Sequence, residues 1–149
     1  MPIDYTIAAI PTVYKGIRYR SRLEAKWAAF FDQMGWEHAY EPADLGTWSP
    51  DFLIWSGEGK GLVEVKPIIS FDKETATRMS LSARAAAFAG GLLLCGTAPF
   101  RLPEKPNHVA IGWYGGCDWT HWKIAGLKRN DVLQGWAAAS NAVQWNAPA

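Results

Sequence analysis

Pro50-Asp51-Phe52-Leu53-Ile54-Trp55, followed by Gly57, Gly59 and Gly61 and then by Leu62-Val63-Glu64-Val65-Lys66, reads as two β-strands joined by a short glycine turn. Proline is tolerated at the first position of a strand, where the ladder loses little, so Pro50 opens one strand, Asp51 to Trp55. The next runs from Leu62 to Lys66. Strands joined by so short a turn pair antiparallel. Alternate side chains on a strand share a face, which turns Glu64 and Lys66 one way and Val63 and Val65 into the packed layer. Asp51 on the partner strand lies beside Glu64, with Phe52 and Ile54 facing the core. A carboxylate pair and a lysine are expected to converge on one small patch.

Upstream, Leu23, Trp27, Phe30, Phe31 and Met34 recur at the spacing of one helical face, which predicts a helix from about Arg22 to Met34. Ser21 is its natural N-cap and Gly35 its stop. Trp36-Glu37-His38-Ala39-Tyr40 alternates apolar and polar side chains, the period of a half-buried strand. Downstream, Pro67 ends the Glu64 strand, and a second helix is expected from about Lys73 to Ala89, entered at Ser70 or Asp72 and stopped by Gly90-Gly91. Leu92-Leu93-Leu94-Cys95 then reads as a strand buried on both faces at the centre of a sheet. Strands near Val109–Tyr114 and Trp119–Ile124 and a helix from about Asp131 to Gln144 complete the chain. Helix, three strands, helix, strand is the order of an α/β sandwich with a mixed sheet.

The whole chain has 149 residues, 49% hydrophobic and 19% charged, with formal net charge +1. That length suits one domain, residues 1–149. Aromatic residues make up 13% of the chain, which with near-zero net charge opposes intrinsic disorder. The longest run free of charged or polar side chains, Ala85 to Gly96, is too short for the roughly 20 residues of a membrane span. Met1-Pro2-Ile3-Asp4 has no basic n-region and no apolar h-region, so the expected location is a reducing cytoplasm. Cys95 and Cys117 form no CxxC pattern, which leaves neither a zinc ribbon nor a thioredoxin motif. Cys95 reads as a small buried hydrophobe.

Glu24 joins Asp51 and Glu64 from the first helix. At 100° per residue it falls about 20° from Phe31, on the flank of the apolar face. Three carboxylates within a few ångströms repel one another by several kcal/mol, so a cation must sit between them. Hard oxygen ligands with room for water are what Mg²⁺ or Mn²⁺ prefers. Lys66 is a point charge suited to positioning water and stabilising charge on a phosphate. Glu24 has a rival explanation, because Ser21-Arg22-Leu23-Glu24 fits the S-x-x-E capping box, in which the glutamate bonds back to the N–H of the cap residue.

Glu24 on a leading helix, Pro50-Asp51 at the head of a strand and Glu64-Val65-Lys66 on the next strand resemble the PD-(D/E)xK nuclease superfamily, over about residues 14–96. The likeness is greatest to members with a glutamate on the first helix, such as phage junction-resolving and transposon-end endonucleases. The resemblance implies a restriction-endonuclease-like αβββαβ core with a central mixed sheet flanked by helices, followed by C-terminal strands and a helix. It implies Asp51 and Glu64 as ligands of Mg²⁺ or Mn²⁺, Glu24 as a further ligand or water-positioning group, and Lys66 as the catalytic lysine. The activity implied is hydrolysis of DNA phosphodiester bonds, in a phage, a mobile element or a bacterial repair system, with host cytoplasm as the place if phage-encoded. RNA is the less favoured substrate. Cutting both strands would need two active sites and a homodimer, whereas a nickase would need one. The other class of reading is a catalytically silent nuclease-fold module that binds DNA or serves as an adaptor in a larger complex.

A sequence pI near 7.8 does not announce a nucleic-acid binder, but the charge is unevenly spread. Lys15, Arg18, Arg20, Arg22 and Lys26 cluster ahead of and within the first helix, with no acidic residue between Asp4 and Glu24. They suit phosphate-backbone contacts, and the interleaved Tyr14 and Tyr19 suit base stacking; the alternative is an ordinary solvated loop. Arg78 and Arg84 are weaker candidates for phosphate contact. Trp27 belongs to the core by its helical spacing, and Trp36 and Trp55 to sheet packing. Trp113, Trp119 and Trp122, with Tyr114 and His121, suit core filling, with an aromatic platform for single strands or a dimer surface as the alternatives. His38, His108 and His121 lack ligand spacing and receive no catalytic role.

Overall fold

A computed structural model describes residues 10–57 and 59–143. The chain opens with a hairpin that the sequence pattern did not announce, β1 (Thr12–Tyr14) and β2 (Ile17–Tyr19), antiparallel with Tyr14 opposite Ile17. Its two-residue turn, Lys15-Gly16, has φ of 48° and 79°, the positive pair that a type I′ turn requires. Helix α1 (Arg22–Gln33) follows, with the Ser21 side chain accepting the Glu24 N–H at its start and Gly35 at φ 73° beyond its end. Strand β3 (Glu37–Tyr40) leads to β4 (Phe52–Ser56) and β5 (Gly59–Val65), each antiparallel to the one before. Asp51 and Lys66 thus stand one residue outside the strands expected to hold them.

Helix α2 (Lys73–Ala85) is capped by the Asp72 side chain. It ends four residues earlier than the glycine stop predicted, because the chain turns at Ala87, which has φ 53°. As the crossover connection, α2 makes β6 (Gly91–Cys95) parallel to β5. Then come β7 (Phe100–Arg101), β8 (His108–Gly115), a 3₁₀ turn (Trp119–His121), β9 (Lys123–Lys128) and α3 (Arg129–Ala142). The strand expected at Trp119–Ile124 is corrected: Asp118 accepts the Thr120 N–H and caps a short helical turn there, and pairing with β8 starts at Lys123. Gln144, the expected end of the last helix, lies outside the described residues, as do Met1 to Asp4.

The sheet has seven strands in the order β3-β4-β5-β6-β8-β7, with β9 on the other edge of β8. It is mixed, and β6 is central, as the Leu92–Cys95 run predicted. Helices α1 and α3 cover one face, where Trp27, Phe30, Phe31, Phe52, Val63 and Val132 interlock. Helix α2 covers the other through Met79 and Ala83 against Leu62, Leu92 and Leu94. Alternation along β5 sends Val63 to the α1 face and Leu62 to the α2 face, so Glu64 points towards α2. The architecture is therefore an α/β sandwich around a mixed sheet. Among the described residues no helix is long and apolar enough to cross a membrane.

The tryptophans divide between core and surface. Trp27 is fully buried and donates its indole N–H to the Gly96 carbonyl at 2.9 Å. Trp36 stacks on Phe31, and Trp55 is 42% exposed. Trp113 and Trp122 pack with Phe71, which assigns them to the α2-side core rather than to a platform; the Trp119 side chain lies outside what is described. Cys95 is buried and free.

Candidate functional site

Asp51 is brought beside Glu64 of the neighbouring strand and beside Glu24 of the first helix. Glu24 sits in the first turn of α1 and is only 7% exposed. Asp51 stands at the head of β4, with its N–H on the Val63 carbonyl at 2.9 Å and its Oδ2 accepting the Val65 N–H at 2.7 Å. Those two bonds lock Asp51 against the end of β5, beside Glu64. The Asp51 carboxyl is within hydrogen-bonding reach of both Glu64 and Glu24. The set is two carboxyl pairs sharing Asp51, and among the described residues no three His, Cys, Asp or Glu side chains form a finished metal cage.

Electrostatics at the site are dominated by lost solvent. Burial first, and the Asp51 charge second, push Glu24 up to about 7. Burial and then the neighbouring Glu64 hold Asp51 above the usual carboxylate range, against the opposing pull of the Val65 N–H. The cationic contact at the cluster is distant: Arg78 Nη2 of α2 lies 3.8 Å from Glu64 Oε2. Glu24 is held by hydroxyls, with Ser21 Oγ donating to Oε1 at 2.9 Å and the Tyr40 hydroxyl donating to Oε2 at 3.2 Å. Half of the capping box is therefore present. Ser21 caps the helix through the Glu24 N–H at 3.0 Å, while the glutamate carboxylate turns to hydroxyls and towards Asp51.

Lys66 makes two contacts that the sequence pattern did not foretell. Its side chain follows the Glu64 face as predicted, but Nζ donates to Thr75 Oγ1 at 2.7 Å and Asp72 Oδ2 at 3.0 Å, the cap of α2. Strand alternation sets the direction of the Cβ, and the long stem then goes to the nearest acceptor.

The basic cluster is partly neutralised. Lys15 Nζ pairs with Asp32 at 3.3 Å and Arg20 Nε with Glu41 at 2.6 Å. Arg18 is exposed, and Arg22 and Lys26 are half-buried on α1. Burial, then the Arg22 charge, lowers the pKa of Lys26. The stacking role considered for Tyr19 is corrected, because its ring is 1% exposed and packs on Tyr40 and Phe52. Tyr14 is tied by its hydroxyl to Asp32 at 2.6 Å, and His38 bonds the other oxygen of the same carboxylate at 2.8 Å. Tyr40 and Arg78 are the site neighbours that sequence reasoning did not place there. For Tyr40 the signal was present, since pairing it with Phe52 sets it next to Asp51.

Compared with family models, curated proteins and solved structures, the chain matches none.

Proposed function

We propose that the chain is a metal-dependent nuclease of the PD-(D/E)xK kind that hydrolyses DNA phosphodiester bonds. The observation that carries this reading is Asp51 set between Glu64 and Glu24, in a largely desolvated corner where Glu24 and Asp51 take protons more readily than usual. Like charges packed this way are relieved by a proton or by a bound cation. Their all-oxygen chemistry fits Mg²⁺ or Mn²⁺. Asp51 and Glu64 would hold the ion, with Glu24 as a further ligand. When bound, the cation would stabilise the negative charge that grows on the phosphate.

The remaining work falls to the chain. Water adds to phosphorus as the bond to the leaving oxygen breaks, and the proton of that water needs an acceptor. Glu24, its carboxylate oriented by the hydroxyls of Ser21 and Tyr40, would serve as that further ligand or position the water. Lys66 serves the phosphate only after its ammonium leaves Asp72 and Thr75, a rotation its flexible stem permits. Arg18, Arg22 and Lys26 supply phosphate contacts beside α1, with Lys15 and Arg20 joining if their carboxylate partners yield.

One observation favours the second reading, a silent DNA-binding or adaptor module: the ammonium of Lys66 is already held by Asp72 and Thr75. Labelled single-stranded, duplex, flap and four-way-junction DNA incubated with and without Mn²⁺ separates the two. Under the nuclease reading, Asp51→Asn, Glu64→Gln and Lys66→Ala each abolish cutting while the protein stays folded and retains most of its DNA affinity. Cutting at the wild-type rate by any one of them removes that residue from the site.

A further inference from the structure

At the end of the sheet away from the carboxylates lies a groove of about 1300 Å³, floored in part by Ile54, Leu93 and Ile111. Two glycines sit side by side in it, because Gly61 of β5 is the register partner of Gly91 of β6. Gly61 lies inside β5, where glycine weakens a strand, Gly91 opens β6, and the backbone demands neither. A Cβ on Gly61 would meet the Gly91 carbonyl oxygen at 3.5 Å and Ile54 Cγ1 at 3.7 Å, ordinary contacts, and one on Gly91 would come no nearer than 4.0 Å to the Gly115 oxygen. Neither has a positive φ. Gly115 in the same groove differs, since its Cβ would lie 2.6 Å from the Trp122 ring. Bare strand backbone that packing does not require marks a place where another group approaches closely.

The surroundings say what kind of group. Tyr114 of β8, opposite Leu93 of β6, is 47% exposed, and its partner on β9 is Lys123. Arg101 and Lys105 line the same groove, and Glu104 is its acidic lining residue among the described residues. Arg101, Lys105 and Lys123 take part in no ion pair among the described residues, unlike Lys15 and Arg20 of the hairpin region. Strands β5, β6 and β8 have neighbours on both edges, so a peptide cannot add to them as a further strand.

We propose that this groove binds a single-stranded segment of nucleic acid. A base lies on the bare backbone of Gly61 and Gly91 against the Tyr114 ring, and phosphates meet Arg101, Lys105 and Lys123. Bases in a duplex are already stacked and offer no free face for this contact. The site is separate from the carboxylate cluster and independent of the nuclease reading.

Titrating the full chain into a fluorescent oligothymidylate of about 15 nucleotides, in EDTA to silence cleavage, tests it. Tyr114→Leu and Gly61→Val should each weaken binding by about fivefold or more, with Tyr114→Phe close to wild type. Replacing Lys105 and Lys123 together by alanine should flatten the log–log salt slope by about 1.4, at about 0.7 per phosphate contact on a single strand. Tyr114 is exposed, so its variants remain informative if Gly61→Val does not fold. Unchanged affinity in Tyr114→Leu, duplex bound more tightly than single strand, or equal displacement of the strand by an oligoglutamate of matched charge overturns the proposal; the last outcome assigns the groove to an acidic protein partner.

Discussion

Glu24 has a folded-state pKa of about 7, raised from an ordinary value of 4.5. A raised acid pKa means that the folded state binds the proton more tightly than the unfolded chain does. Its contribution to stability is complete below about pH 4.5, declines as the pH rises and is gone above about pH 7. In EDTA, thermal stability should therefore fall between those values by an amount of order 1–2 kcal/mol that Glu24→Gln removes. Melting curves at pH 5 and pH 8 on both proteins check this, and equal drops in the two would exonerate Glu24. The carboxylates were legible in the sequence because strand and helix periodicity fix where a Cβ points, and a short acidic side chain strays little from it. The ammonium of Lys66 was not legible, since its position depends on Asp72 and Thr75, which only the folded loop brings within reach. Tyr19 misled for a related reason, as its place in the chain among basic residues says nothing about the Tyr40 and Phe52 rings that enclose it.

The loop from Lys66 to α2 controls the site at the scale of elements. Thr97 donates its N–H to the Ile68 carbonyl at 3.0 Å, and a Cβ on Gly96 would collide with that carbonyl oxygen. Gly96 also receives the Trp27 indole N–H, so one backbone turn joins α1, the loop and β6. Gly96→Ala should cost about 2–4 kcal/mol, visible as a lower urea midpoint, and should also disturb Lys66; a midpoint unchanged from wild type would mean that the loop gives way freely. The central elements were predictable because each pairs a clear hydrophobic period with a cap or a glycine. The β1–β2 hairpin was missed because its turn is Lys-Gly, with lysine at φ 48° where Asn or Asp is the usual signal. The end of α2 was misplaced for the same kind of reason, since Ala87 takes a conformation that glycine usually supplies. Near Trp119, the strand expected from Trp119 to Ile124 gives way at its start to a helical turn capped by Asp118.

At the scale of the whole molecule, a formal net charge of +1 is a sum over unlike regions. Hairpin-region cations are partly cancelled by Asp32 and Glu41, the groove beside Tyr114 keeps its own, and the carboxylate corner has a deficit that an ion would fill. Metal binding should then raise the stability of the whole fold by mass action. At a Mn²⁺ concentration about 100 times Kd the gain is about 2.7 kcal/mol, or roughly 5–10 °C in Tm for a chain of this size. Asp51→Asn should show almost none of it, and an equal rise in that variant would place the ion elsewhere. Sequence periodicity and strand pairing were enough to anticipate the sandwich and its central strand, whereas the distribution of free and cancelled charge depends on which distant acids fold against which bases. The most direct test of the central claim is cleavage of labelled single-stranded, duplex, flap and junction DNA by wild type and by Asp51→Asn, side by side in Mn²⁺. The account predicts cutting of at least one substrate by wild type and none by the variant; no cutting by wild type, or equal cutting by both, would contradict it.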